Sequence, residues 1–238
     1  MNNISVFLPL RAGSARIPRK NTRPFHPDGS SLFQVKLRQL SNIADRVAEV
    51  VVSTDDPEVF AQFDGIRTPA NVRIVDRPPE LASSTTVLQD LIRHVPTVVS
   101  GEWIAWTHVT SPFFDEAQML AAFVTLDEQL RCENSDSLMT VDELRQFIWS
   151  DTERTFINFD RSVNQWPHTQ DLEMLYAVNS ALFVAHRLDY ETRDDRIGTR
   201  PALYTCSGLA SFDIDWPDDF EVAQALAPIF GATAKADV

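Results

Sequence analysis

Hydrophobic and polar positions alternate in blocks along this chain, and the blocks predict alternating strands and helices. Residues 4–10 (ISVFLPL) form a continuous apolar run, the pattern of a parallel strand buried on both faces. A polar, basic stretch from Arg11 to Arg23 follows. Leu32, Val35, Leu37, Leu40 and Ile43 then recur at roughly helical spacing. Further strands are predicted at residues 48–53, 72–75, 103–109, 136–141, 176–185 and 202–206, with a short extended piece at 211–215. Pro57 suits the first position of a helix, with Asp55 or Asp56 as its cap. Thr85 or Thr86 is expected to cap a helix reaching about Val95. Two more helices are expected, over 115–130 and 217–230, with Asp218 and Asp219 favouring the start of the last through its dipole. The end of the chain, 231–238, reads as frayed.

Such alternation predicts an α/β fold: a mostly parallel sheet with helices on both faces. All 238 residues read as a single domain. Residues 144–175 interrupt the pattern. They mix aromatics and charges without a clean period, so they read as an excursion or sub-lobe. In open sheets of this kind ligands bind beyond the carboxyl ends of the strands. The informative loops are therefore those after Leu10, Ser53 and Val109, and the segment near Asp215.

Composition narrows the function. A hydrophobic content of 44% supports a sizeable core, and a formal net charge of −13 argues against general nucleic-acid binding. The two cysteines, Cys132 and Cys206, form no CxxC pair and suit a reducing compartment. No signal peptide is evident, and no apolar stretch approaches the roughly 18 residues that span a bilayer. A cytoplasmic protein is expected.

Within this acidic chain, residues 11–20 hold four cations: Arg11, Arg16, Arg19 and Lys20. Gly13 and the small neighbours Ala12, Ser14 and Ala15 let backbone N–H groups approach an anion. Arg11, Arg16 and Lys20 suit a triphosphate and its departing pyrophosphate. The loop matches neither G-x-x-x-x-G-K-[ST] nor G-x-G-x-x-G. A solvated loop is the competing reading, and the position after a buried strand favours binding. Late in the chain, Asp213 and Asp215 flank Ile214. In a strand, residues two apart share a face, so both carboxylates would converge. That arrangement calls for a cation, and magnesium, which takes a few carboxylates together with phosphate oxygens and water, fits it. A strand end facing solvent is the alternative.

Residues 8–21 (LPLRAGSARIPRKN) resemble the first-strand signature of the acylneuraminate cytidylyltransferases, P-x-R-x-G-S-K-x-I/L-P-x-K-N. Further blocks follow in order: 51–56 (VVSTDD), 77–82 (RPPELA) and 110–112 (TSP), then Gln170-Asp171-Leu172 with Tyr176 and Asn179, and finally 211–215 (SFDID). The resemblance implies a Rossmann-like nucleotidyltransferase fold and transfer of CMP from CTP to a sialic-acid-like 2-keto acid sugar. It implies that Asp213 and Asp215 hold Mg2+, with Arg11, Lys20 and Asp215 as catalytic groups. Gly13, Ser14, Arg16, Asn21, Arg77 and Thr86 join Arg11 and Lys20 around the nucleotide, Arg77 and residues 83–86 on its cytosine side. Thr110, Ser111, Gln170, Asp171, Tyr176 and Asn179 fall on the sugar side. The excursion at 144–175 is implied to cross a homodimer and complete the partner's sugar site.

Several positions depart from the pattern. Arg16, next to the signature lysine position, stands in for that lysine. His108 replaces a glutamine, Phe114 an arginine and Ser180 a glycine, while His168-Thr169 occupies the place of a basic pair. His108 keeps the capacity to hydrogen-bond a sugar hydroxyl or carboxylate, against the alternative of a satisfied histidine at a strand end. These changes leave open a different acid (Kdo, legionaminic, pseudaminic or a non-sugar acid) or a catalytically weakened nucleotide-binding paralogue.

Overall fold

The structure is a computed structural model that describes residues 3–83 and 85–233. A seven-stranded sheet runs through the molecule. The first strand, β1 (Ile4–Pro9), lies between β2 (Glu49–Thr54) and β4 (Trp103–Thr107), parallel to both. Beyond β2 lies β3 (Val72–Asp76), also parallel. On the other side, β8 (Leu175–His186) runs antiparallel to β4 and to β5 (Ser137–Leu144), and β9 (Pro201–Thr205) closes the edge parallel to β5. The sheet is mostly parallel, as expected, and β8 alone runs the other way.

Helices cover both faces. Ile4, Val6 and Leu8 of β1 pack on one side with Leu37 and Leu40 of α1 (Leu32–Asn42), Phe123 and Leu126 of α4 (Glu116–Arg131), and Phe220 of α6 (Pro217–Thr233). Phe7 points to the opposite side, among Ile92 and Val95 of α3 (Leu88–Val98) and Tyr190 of α5 (Arg187–Arg193). Burial on both faces is why β1 is apolar apart from Ser5, whose buried hydroxyl donates to Glu49 (2.8 Å). Asp56 caps α2 (Pro57–Asp64), with Pro57 at its first position. Asp115 caps α4, and Ser31 and Gln34 form a capping box on α1.

Three local expectations change. The helix α3 starts later than predicted: Val87 precedes it with no side-chain cap, while Thr86 donates instead to the Glu80 carbonyl and Thr85 bonds Ser83. Residues 212–215 form no strand. They leave a short 3-10 turn at Gly208–Ser211, and Ile214 N–H donates to the Thr110 carbonyl (2.9 Å). The helix α5 was not predicted; its seven residues are too short for a clear 3.6-residue period. The last turn of α6 reaches Thr233, so only residues 234–238 of the expected frayed tail lie outside the described residues.

Residues 144–175 carry a two-stranded hairpin, β6 (Trp149–Ser150) and β7 (Thr155–Phe156). Phe147, Trp149, Phe156, Phe159 and Trp166 cluster edge to face around it. The two tryptophans of this cluster are exposed, Trp149 by 47% and Trp166 by 62%, and its three phenylalanines are half-buried.

The pairing of β5 with β8 breaks at Thr140. Met139 faces Phe183 and Val141 faces Val178, so residues 179–182 bulge opposite Thr140. Within that bulge Ser180 sits at φ 61°, a left-handed conformation that strains any residue with a Cβ. The Thr140 hydroxyl bridges the gap through both the N–H and the carbonyl of Leu182. Ser180→Gly should stabilise the fold by about 0.5–1 kcal/mol, the relieved strain less glycine's extra unfolded-state entropy. Thermal denaturation should register this as a Tm rise of about 1–4 °C; an unchanged or lower Tm would mean that the bulge does not strain Ser180.

Candidate active site

The sheet order reverses at β1: the chain passes from β1 outward through β2 and β3, then returns to place β4 on the other side. Loops leaving β1 and β4 therefore diverge, and a crevice opens between them. A cleft of about 330 Å³ lies there, with Arg11, Ser14, Arg16, Lys20 and Asn21 on the β1 side, His108 and Thr110 on the β4 side, and Asp215 at the edge.

The basic loop is anchored at both ends. Leu10 N–H donates to the Ser53 carbonyl (2.9 Å) and Ala12 N–H to Asp55 Oδ1 (2.8 Å). Gly13 then turns at φ 70°, which suits glycine because it lacks a Cβ. Ile17 is buried and pins the middle of the loop. Arg19 is turned away and pairs with Glu58 (2.9 Å), which also accepts the Thr22 hydroxyl (2.6 Å). Arg11, Arg16 and Lys20 are left at the cleft.

Across it, Lys20 Nζ donates to the Ile214 carbonyl (2.7 Å), and Arg16 Nη1 pairs with Asp215 Oδ1 (2.9 Å). The buried Ile214 side chain points into the core between the two aspartates. Burial pushes the Asp213 carboxyl above its ordinary pKa and Asp215 adds to this, while a hydrogen bond from Thr110 and the Lys20 charge oppose it. Burial lowers Lys20, against the pull of Asp213 and Asp215. The structure thus brings Arg11, Lys20 and Asp215 to one cleft, with Asp213 beside it. Among the described residues no group of three or more His, Cys, Asp or Glu side chains is arranged to hold a metal. Two hard carboxylate donors facing a cationic loop fit a magnesium ion that takes its other ligands from phosphate and water.

Other expected site residues lie elsewhere or are already engaged. His108 lines the cleft, but Trp106 Nε1–H donates to its Nε2 (2.9 Å) and its Nδ1–H donates to the Ser180 carbonyl (2.8 Å). Burial, helped by Arg196, pushes its pKa down to about 4, so it is a neutral wall with both nitrogens occupied. Ser111 is buried and does not line the cleft. Asn179 is tied internally, donating to Asp142 (2.7 Å) and accepting from Ala181 N–H. Gln170 and Asp171 sit in an exposed 3-10 turn of the excursion, and Tyr176 is exposed on β8; none of the three lines this chain's cleft. Arg77 is buried behind the loop, where it donates to the Ser53 carbonyl (2.9 Å). Neither Arg77 nor Thr86 lines the cleft. Ser84 lies outside the described residues.

Two positioning residues escaped the sequence reading. Asp55 stands in the sequence as a helix-cap candidate and within the 51–56 block, yet it holds the basic loop. Lys36 is fully buried on α1, with Nζ donating to the carbonyls of Ser111 (2.9 Å) and Phe114 (2.7 Å), so it fixes the turn that carries Thr110. Its spacing from Phe33, Leu37 and Leu40 places it on the apolar face, and that was the available signal.

A family model described as cytidylyltransferase matches residues 6–234. The chain belongs to the cytidylyltransferase family. Among curated relatives of this cytidylyltransferase, the N-acylneuraminate cytidylyltransferase of Escherichia coli O18:K1:H7 (strain RS218 / NMEC) is 24% identical over 222 residues, 92% of this chain. The chain spans about half (51%) of that relative's length. Two solved structures share the fold. One is a CMP:2-keto-3-deoxy-manno-octonic acid synthetase complexed with CTP (TM-score 0.62, 15% identity, 96% of this chain and 99% of that one). The other is a 4-diphosphocytidyl-2C-methyl-D-erythritol synthase from Anaerococcus prevotii DSM 20548 (TM-score 0.65, 13% identity, 95% and 96%).

Lys36 gives the fold a pH signature. Burial pushes its pKa down to about 7 from an ordinary value near 10.5, against the pull of Asp115 and Glu116. Between those values the unfolded chain binds more protons than the native one, so stability rises with pH. Below about pH 7 both states carry the proton and the rise ends. Lys36→Met should flatten the increase of Tm between pH 7 and 10; an unchanged slope in thermal scans would place the proton elsewhere.

Proposed function

We propose that this cytidylyltransferase transfers CMP from CTP to the anomeric hydroxyl of a sialic-acid-like 2-keto acid sugar, releasing pyrophosphate. The observation that carries the reading is the cleft at the switch point, where Arg11, Arg16 and Lys20 face Asp215 with Asp213 beside it. The E. coli relative supports the acylneuraminate substrate class. The free cysteines Cys132 and Cys206 fit a cytoplasmic setting.

Catalysis in this reading is positioning and charge stabilisation. Asp55 takes the Ala12 N–H and so holds the loop with Ser14 and Ala15 at the cleft, toward the phosphates. Arg11 and Lys20 neutralise the departing pyrophosphate, and Asn21 lies toward the ribose. Asp213 and Asp215 would hold a magnesium ion, which would supply charge screening at the phosphate oxygens and a lower pKa for the sugar hydroxyl. Thr110 sits where the attacking sugar enters, while His108 forms an uncharged wall. No covalent intermediate is needed.

The exposed aromatic hairpin carries the second half of the proposal. Gln170, Asp171 and Tyr176 lie on or beside it, away from their own cleft, and a homodimer would deliver them to the partner's sugar site. A protein that elutes from gel filtration as a monomer with full activity would overturn this.

Lys20→Ala and Asp215→Asn should each lower turnover at least about a hundredfold in a pyrophosphate-release assay with CTP, Mg2+ and N-acetylneuraminate. Near-normal rates in both would remove these roles. Should wild-type protein turn over only with Kdo, legionaminic, pseudaminic or a non-sugar acid, the sugar assignment falls and the CMP transfer stands.

A further inference from the structure

Arg16 has an unusual pair of partners. Its Nη1 lies 2.9 Å from Asp215 Oδ1 and 3.4 Å from the Asp215 carbonyl, while its guanidinium carbon sits 4.6 Å over the ring of Trp216. The group is thus held by its edge on a carboxylate and by its face on an indole, a combination that a planar guanidinium permits and a lysine ammonium does not. The backbone beneath is fixed. Asp219 Oδ2 accepts the N–H groups of both Asp215 (3.0 Å) and Trp216 (2.7 Å), and Lys20 grips the Ile214 carbonyl. Rearrangement here falls on the two side chains of the pair, Arg16 and Asp215, both of which are open to solvent.

We propose that Arg16 is the resident counter-ion of Asp215 and a gate on the metal side of the cleft: it must leave Asp215 before a divalent cation can bind there. The proposal rests on the reading that Asp213 and Asp215 hold the metal. A divalent ion on the Asp215 carboxylate would lie within a few ångströms of the guanidinium, and the two positive charges repel at that distance. A metal arriving alone has to displace Arg16 with nothing to receive it. A triphosphate arriving with the metal supplies that receiver, since guanidinium pairs well with phosphate oxygens. Arg16 therefore couples the two bindings: nucleotide draws it off Asp215 and frees the oxygen for metal, and metal in turn frees Arg16 for nucleotide. An exposed ion pair with ring stacking is worth about a factor of five to ten in an equilibrium constant.

The test counts Mn2+, standing in for magnesium, by its free-ion EPR signal in protein without nucleotide. Arg16→Met should bind Mn2+ about fivefold to tenfold more tightly than wild type, and added CTP should tighten Mn2+ binding less in the variant than in wild type. Mg2+ alone should also change the tryptophan emission of wild type, as the guanidinium leaves the indole, and this change should be missing in Trp216→Phe. If Arg16→Met binds Mn2+ no more tightly than wild type while Asp215→Asn has lost binding, the gate is overturned and the metal site stands. If Asp215→Asn binds Mn2+ as wild type does, the metal site is overturned and the gate with it.

Discussion

Two carboxylates on either side of a buried isoleucine cannot share a cleft edge without positive charge to face them. Ile214 points inward, Asp215 pairs with Arg16 of the basic loop, and Asp213 is half-buried beside Thr110, with its pKa raised by burial and by its neighbour. Lys20 and Arg16 answer that charge from across the cleft. Much of the surrounding architecture holds these two segments in register. Asp55 fixes the start of the loop, Ile17 its middle, and Thr110 accepts the Ile214 N–H. Lys36, from the far side of the core, fixes the turn on which Thr110 sits. The facing charges are thus set by parts of the chain some two hundred residues apart that meet only because β1 is central to the sheet.

The strands of this fold were legible because burial on both faces leaves runs of apolar residues that no other element would need. The loop after β1 was legible for a different reason: four cations and a glycine in an acidic chain stand out by composition. Geometry that depends on long-range packing was not legible. Nothing near His108 in sequence announces that Trp106 and the Ser180 carbonyl occupy both of its nitrogens, since the second partner arrives from β8. The same is true of Ser111, which the resemblance placed on the sugar side while the turn after β4 buries it. The 212–215 segment has the alternation of a strand yet gains no ladder partner: its one strand-like bond runs from Ile214 to a loop carbonyl. Periodicity placed the Ile214 side chain in the core, but it does not report what the backbone pairs with.

The departures around His108 and Ser180 form one local arrangement. Ser180 takes a left-handed turn inside the β8 bulge, and that turn presents its carbonyl to His108 Nδ1. The other nitrogen accepts from Trp106, which Arg196 stacks against (5.2 Å). Arg196 also helps to hold the imidazole neutral. The wall of the cleft next to β8 is therefore rigid and uncharged. An acidic ligand finds its positive charge on the β1 side alone.

The whole-chain charge of −13 has to be set against that small cationic surface. At physiological ionic strength charges beyond about 8 Å are largely screened, so the cleft responds mainly to its own neighbours. Those neighbours are Arg11, Arg16 and Lys20 against Asp213 and Asp215, with Asp219 just behind. The local balance is close to neutral, which leaves little net attraction for a bare triphosphate. A triphosphate that arrives with a divalent cation carries less negative charge, and it offers the two aspartates a partner of the sign they lack. On the proposed function, near-neutrality would favour the metal complex over the free nucleotide, and Arg16 is the side chain through which the two bindings would be felt together.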